Sequence, residues 1–149
     1  ARIYWRDHGL SSVALRPHTV HGPGRDQGMT SQPTVAVEHA ARGQSYTVDY
    51  GGTLGFQYAP DVARAFIEAS RRPAEAAPAF NLPADTIPVR SFLDAATNIT
   101  GIELFCGDTG LDLVDEGAAD SWTEWVTEWS TTPLTDAIRE SADIFSNHN

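Results

Sequence analysis

Residues 13–25 read V-A-L-R-P-H-T-V-H-G-P-G-R. Val13, Ala14 and Leu15 form a short apolar run that ends at Arg16-Pro17, and Gly22-Pro23-Gly24 breaks the backbone a few residues later. An apolar run bounded by turn residues reads as a buried strand. A buried strand that opens abruptly into a Gly/Pro loop points to an α/β fold, where ligands bind outside the carboxyl ends of the strands. The strand is expected over 10–16. A long polar surface loop is expected over 18–32, with room for a binding role.

Upstream, residues 2–8 carry Ile3, Tyr4 and Trp5, with Gly9 at a helix C′ position, and read as the tail of a helix. No capping residue precedes Arg2 and the first residue is Ala, so the chain is expected to be the C-terminal part of a longer one. Downstream, Pro33 and Gly43 bracket a helix over 33–42, with Val35, Ala36, His39 and Ala40 inward. Y-T-V-D-Y at 46–50 alternates as a strand, Gly51-Gly52 turns the chain, and 54–59 gives another strand. Pro60-Asp61 opens a helix that Pro73 stops, with Val62, Ala65, Phe66 and Ala69 at helical spacing. A short strand at 79–82 precedes a helix over 88–98 with Val89, Phe92, Leu93 and Ala96 inward, closed by Gly101. A strand at 102–105 and an irregular acidic stretch at 107–121 follow. Trp122, Trp125 and Trp129 then share one helical face, and a last helix runs from Thr132-Pro133 to Phe145 with Leu134, Ile138 and Phe145 inward.

The composition excludes several chemistries. The net charge of −10 is concentrated at one end: residues 1–102 carry nine acids and nine arginines, and residues 103–149 carry eleven acids and Arg139 alone. Such a tail repels phosphate backbones, so nucleic-acid binding is not expected. It reads as a solvated acidic face, the alternative being a docking surface for a basic partner. The chain has no Lys, which removes any lysine-dependent step, and a single cysteine, Cys106, which removes intrachain disulfides and a four-cysteine zinc site. That cysteine usage fits a reducing, cytoplasmic location. No apolar run approaches the roughly 20 residues a membrane-spanning helix needs, and no signal peptide is visible. His18 and His21 with Asp26 nearby fall short of a metal centre, which shows more ligands and carboxylate-oriented histidines, so no metal is expected. Asp61 is read first as an anion at a helix N-terminus and second as a site acid.

L-R-P-x-x-V-x-G-P-G at 15–24 resembles the sixth core strand and following loop of the extended short-chain dehydrogenases, the NAD(P)-dependent epimerase/dehydratase family. G-P-G-R-D-Q-G at 22–28, F-Q-Y-A-P-D-V-A-R-A-F-I at 56–67, A-F-N-L at 79–82 and P-L-T-D-A-I-R-E-S at 133–141 resemble further segments of that family in the same order, with Ala137 where Gly is usual. The resemblance implies an α/β fold with a small mixed sheet and helices, the C-terminal portion of a Rossmann-type enzyme. Residues 1–22 would be the last helix end and strand of the Rossmann core, and 23–149 the substrate-binding lobe. It implies that Arg16, Pro17 and His18 pass along the nicotinamide of NAD or NADP, and that Thr19, His21, Arg25 and Gln32 contribute to the pocket for a small-molecule substrate.

Two departures narrow that substrate. Leu54 and the Cys106-Gly107-Asp108 stretch stand where relatives that bind nucleotide sugars carry arginines for the diphosphate. A free sugar, a sugar acid or another small hydroxylated compound is therefore favoured, unless Arg25 or Arg90 substitutes. No catalytic residue is expected here: Tyr4 is followed four places on by His8, not Lys, and no G-x-G-x-x-G is present. The chain is thus read as the substrate-binding part of an NAD(P)-dependent oxidoreductase, or alternatively as a non-catalytic binding or protein-interaction module derived from that fold. Because the strand at 10–16 belongs inside a parallel sheet, self-association or pairing with the missing N-terminal half is expected.

Overall fold

The structure is a computed structural model that describes residues 1–111 and 120–147. Along these residues run α1 (Arg2–His8), β1 (Ala14–Arg16), β2 (Thr19–His21), α2 (Gln32–Ala41), β3 (Tyr46–Val48), β4 (Thr53–Tyr58) and α3 (Ala59–Arg71). They are followed by β5 (Ala79–Asn81), β6 (Asp85–Pro88), α4 (Val89–Thr100), β7 (Leu104–Cys106), α5 (Asp120–Trp125) and α6 (Leu134–Asn147). The strands form three small sheets. β1 lies parallel to β5 with Leu15 beside Phe80, and β3 lies parallel to β7 with Thr47 beside Phe105. The third sheet is mixed: β2 runs parallel to β4, with His21 beside Tyr58, and β6 runs antiparallel on the other side, with Leu54 opposite Ile87. The fold class is α/β, as expected.

Two cores follow from two sets of apolar faces. In the larger, α2, α4 and α6 cover the inner face of β4. Val89, Phe92, Leu93 and Ala96 recur at the spacing of one helical face, and all four are fully buried. Burying side chains of this kind stabilises the fold by roughly 1.5–3 kcal/mol each for Val, Leu and Phe. Ile138 of α6 is fully buried against them, with Leu134 and Phe145 packed at the edge. The smaller core joins β5 to α3 and α5 through Ala65, Phe80, Leu82, Trp122 and Val126.

Several elements differ from the sequence expectation. The first strand is only Ala14–Arg16, because its ladder is set by β5 and not by the length of the apolar run. Residues 19–21, expected in a loop, form β2, which exists because β4 pairs with it from far along the chain. β6 was not expected, since D-T-I-P offers no alternating apolar face and contains a proline; its partner β4 creates it. In α2 the buried face holds Thr34, Ala36, Val37 and Ala40, with Val35 and His39 only half-buried. In α3, Ala65 is buried, but Phe66 is 53% exposed and Val62 and Ala69 are half-buried. The tryptophan face is not one helix: α5 ends at Trp125, and a turn brings Trp129 back onto Trp122, with ring centroids 5.2 Å apart. Within the stretch expected to be irregular, 112–119 lies outside the described residues, and Gly110 makes a lone parallel bridge to Gly51.

Candidate functional site

The site is built where the chain twice crosses between sheets. It leaves β1 and enters β2 through Pro17 and His18, and it leaves β5 and enters β6 through residues 82–84. Arg16 and Pro17 are exposed and His18 is half-buried. The Arg16 carbonyl accepts from the Leu82 N–H at 3.3 Å, the last link between the β1 and β5 strand ends. One residue on, the His18 N–H donates to Gln57 Oε1 at 2.8 Å. The His18 imidazole packs on Gly55, where an added Cβ would lie 3.2 Å from the ring and from the Ala84 methyl, so a larger residue would require these neighbours to give by a few tenths of an ångström.

Thr19 and His21 are both buried on β2, at 7% and 3% exposure. The His21 ring lies among Phe92, Tyr58 and Phe56, at centroid distances of 5.1, 5.6 and 6.1 Å. Burial in this apolar box disfavours the imidazolium and pulls its pKa down to about 4, so His21 is neutral at physiological pH. The chain then turns at Gly22, whose N–H donates to Thr34 Oγ1 at 3.1 Å. Its φ of +115° and the Tyr58 ring 2.8 Å from a would-be Cβ both require glycine.

Arg25 and Gln32 are held elsewhere on the loop. Arg25 donates to Thr30 Oγ1 at 3.1 Å, and no ion pair among the described residues uses it. Gln32 is committed to Asp49: its amide donates to the carboxylate at 2.9 Å and its oxygen accepts the Asp49 N–H at 2.7 Å. Neighbouring Tyr50 is buried, which pushes its phenol up to about 12 even though the Arg25 charge acts in the opposite direction. The structure thus gathers Arg16, Pro17, His18, Thr19 and His21 on one strand–turn–strand path. Arg25 and Gln32 have other partners.

A small hollow of about 20 Å³ opens at the ends of β2 and β4, walled by His21, Tyr58, Asp61, Asp85 and Trp129. Asp61 faces it, yet its oxygens are already used. They accept from the Thr132 N–H at 2.7 Å, the Thr132 hydroxyl at 3.1 Å and Arg64 at 3.0 Å. The carboxylate therefore ties the segment before α6 to the start of α3, a larger role than the helix-end anion read from sequence. Partial burial and the Asp61 charge raise the Asp85 carboxyl above its ordinary range. Among the described residues no group of three or more His, Cys, Asp or Glu side chains is arranged to share a metal ion, and no helix is long and apolar enough to cross a membrane.

Gln57 was missed at the sequence level. An amide inside an otherwise apolar strand, L-G-F-Q-Y, is a signal in itself, because a buried polar group needs partners.

This arrangement has the fold of about half of each of several solved epimerase and dehydrogenase chains. Neither the models of known families nor the curated proteins give a match. Among solved structures, the chain is similar to the UDP-glucose 4-epimerase of Thermus thermophilus in complex with NAD, with a TM-score of 0.77 at 20% identity over 99% of this chain and 50% of that one. It is similar to the UDP-glucuronic acid 4-epimerase of Bacillus cereus in complex with UDP-glucuronic acid and NAD, with a TM-score of 0.78 at 16% identity over 97% and 48%. A partial consensus L-threonine 3-dehydrogenase gives a TM-score of 0.81 at 17% identity over 98% and 51%. The chain spans about half the length of the solved structures it matches. At these identities the likeness establishes the fold.

Proposed function

We propose that this chain is the substrate-binding part of an NAD(P)-dependent oxidoreductase of the epimerase/dehydratase kind, acting on a small sugar-like hydroxyl or keto compound. The observation that carries this reading is the match of nearly the whole chain to half of two epimerases solved with NAD and of a dehydrogenase, with L-R-P-x-x-V-x-G-P-G running from β1 through β2 into the loop. Arg16, Pro17 and His18 would offer their backbone to the nicotinamide, with residues 1–22 completing a Rossmann core and 23–149 forming the lobe. Thr19, His21, Arg25 and Gln32 would shape the substrate side. The dinucleotide supplies the hydride chemistry when bound; this chain's residues orient and enclose.

Two features support a substrate without a nucleotide diphosphate. Leu54 is fully buried in the main core, so the side chain at this position presents no charge to a diphosphate. Arg90 donates to the Leu104 carbonyl at 3.1 Å. Arg25 remains as the cation for an acidic or hydroxylated sugar.

A partner is part of the same reading. β1 and β5 make a two-stranded parallel pair, an arrangement that normally sits inside a larger covered sheet. Helix α1 buries no residue, and Ile3, Tyr4, Leu10 and Phe66 are each more than half exposed. The complementary half of an enzyme, or a second copy, would cover them. The interaction-module alternative draws less support from the tryptophans, since Trp122 is fully buried and Trp125 stacks on Phe80 at 4.8 Å.

Saturation-transfer NMR on the chain with D-glucuronate, D-galactose and UDP-glucose tests the substrate class, and light scattering tests association. Free-sugar binding that Arg25→Gln weakens is expected, together with a species larger than a monomer. Tighter binding of UDP-glucose than of either free sugar would overturn the substrate assignment, and a stable monomer would overturn the partner.

A further inference from the structure

Gln57 is 5% exposed one residue before the carboxyl end of β4, between Phe56 and Tyr58. Leu54, Phe56 and Tyr58 share one face of the strand, and Gly55 and Gln57 the other, towards His18 and the turn after β5. Three hydrogen bonds converge on its one amide. Oε1 accepts the His18 N–H at 2.8 Å, and Nε2 donates to the Leu82 carbonyl at 2.9 Å and the Pro83 carbonyl at 2.7 Å. These backbone groups lie just past the carboxyl ends of β1 and β5, beyond the last link between those strands, where no further strand pairing can satisfy them.

We propose that Gln57 is a positioning residue: its amide locks the carboxyl ends of β1 and β5 to the three-stranded sheet and thereby fixes the backbone at 16–18 that orients the nicotinamide. The functional half of this statement rests on the oxidoreductase reading above; the lock itself does not. Both crossings between the sheets, at 17–18 and at 82–84, pass this side chain, so one amide sets the offset of one sheet against the other. An apolar side chain of similar volume would fill the space and leave an N–H and two carbonyls unpaired beside it. A glutamate would still accept from His18 but would set a carboxylate oxygen against the Leu82 and Pro83 carbonyls.

The test uses the isotope-labelled full chain. In the unsubstituted protein a scalar coupling across the hydrogen bond between the His18 amide nitrogen and the Gln57 side-chain carbonyl carbon is expected; its absence overturns the proposal without any variant. In Q57M the His18 amide is expected to exchange about tenfold faster, while amides of Phe92 and Leu93 in α4 keep their protection. In Q57E the His18 signature is expected to return in part. Unchanged exchange at His18, or equal acceleration in α4, would reduce Gln57 to ordinary core packing. In an enzyme that contains this chain, Q57M is expected to lower kcat about tenfold with the dinucleotide KM within about twofold, as misorientation without lost binding requires. An unchanged kcat alongside a broken lock overturns the positioning role. If no such activity exists while the His18 effect is present, the oxidoreductase reading fails and the lock stands.

Discussion

Acidification should weaken this fold through one identifiable side chain. His21 is 3% exposed among Phe92, Tyr58 and Phe56, and its pKa falls from an ordinary 6.5 to about 4 because burial penalises the charged ring. The unfolded chain takes up a proton as pH drops through 6.5, whereas the folded chain resists until about 4. Stability from the neutral ring is thus complete above the unfolded value and is lost progressively between those limits. Integrating from pH 7 to 4.5 at about 1.4 kcal/mol per unit gives a loss on the order of 2–3 kcal/mol, or roughly 5–10 °C in Tm for a chain of this size.

The carboxylates also titrate in this range, so the informative quantity is a difference. Urea unfolding of the unsubstituted chain and of His21→Phe should be followed at half-unit intervals from pH 7 to 4.5. The unsubstituted chain is expected to lose roughly 2–3 kcal/mol more than the variant across that range, since the carboxylates are common to both. The rival is that three aromatic faces stabilise an imidazolium by cation–π attraction and cancel the burial cost. A difference that stays flat would establish that rival and refute the reasoning.

Gly22→Ala is expected to cost about 2 kcal/mol or more, since it sets a methyl against the Tyr58 ring at a positive φ; thermal melting reads it directly. Asp61→Ala should cost about 2–3 kcal/mol by releasing Thr132 and Arg64, and Asp61→Asn clearly less, because an amide oxygen still accepts the Thr132 N–H; equal losses would show that charge alone matters. Leu54→Arg should lose about 3 kcal/mol or more, with no gain of UDP-glucose binding by NMR, because it buries a guanidinium without a partner. A stable variant that binds UDP-glucose would instead mean that this end of β4 opens onto a nucleotide site.

What was legible in the sequence was local. The 3.6-residue spacing of Val89, Phe92, Leu93 and Ala96 needs only the geometry of a helix to be read, and all four are buried. Gly9, Gly43 and Gly101 mark helix ends through their positive φ, a constraint each glycine carries by itself. The order of motifs from L-R-P to P-L-T-D was enough to give the fold class. Tertiary structure decided whatever depends on pairing between distant residues. β2 and β6 are three or four residues long and without a periodic signal, and they exist because β4 offers hydrogen-bonding edges on both sides. Phe66 has the spacing of a core residue yet is 53% exposed, because spacing says which face a side chain shares and not what, if anything, covers that face. Gln57 shows the same division: its sequence position marks a polar residue in an apolar strand, but only the convergence of His18, Leu82 and Pro83 on one amide gives it work to do.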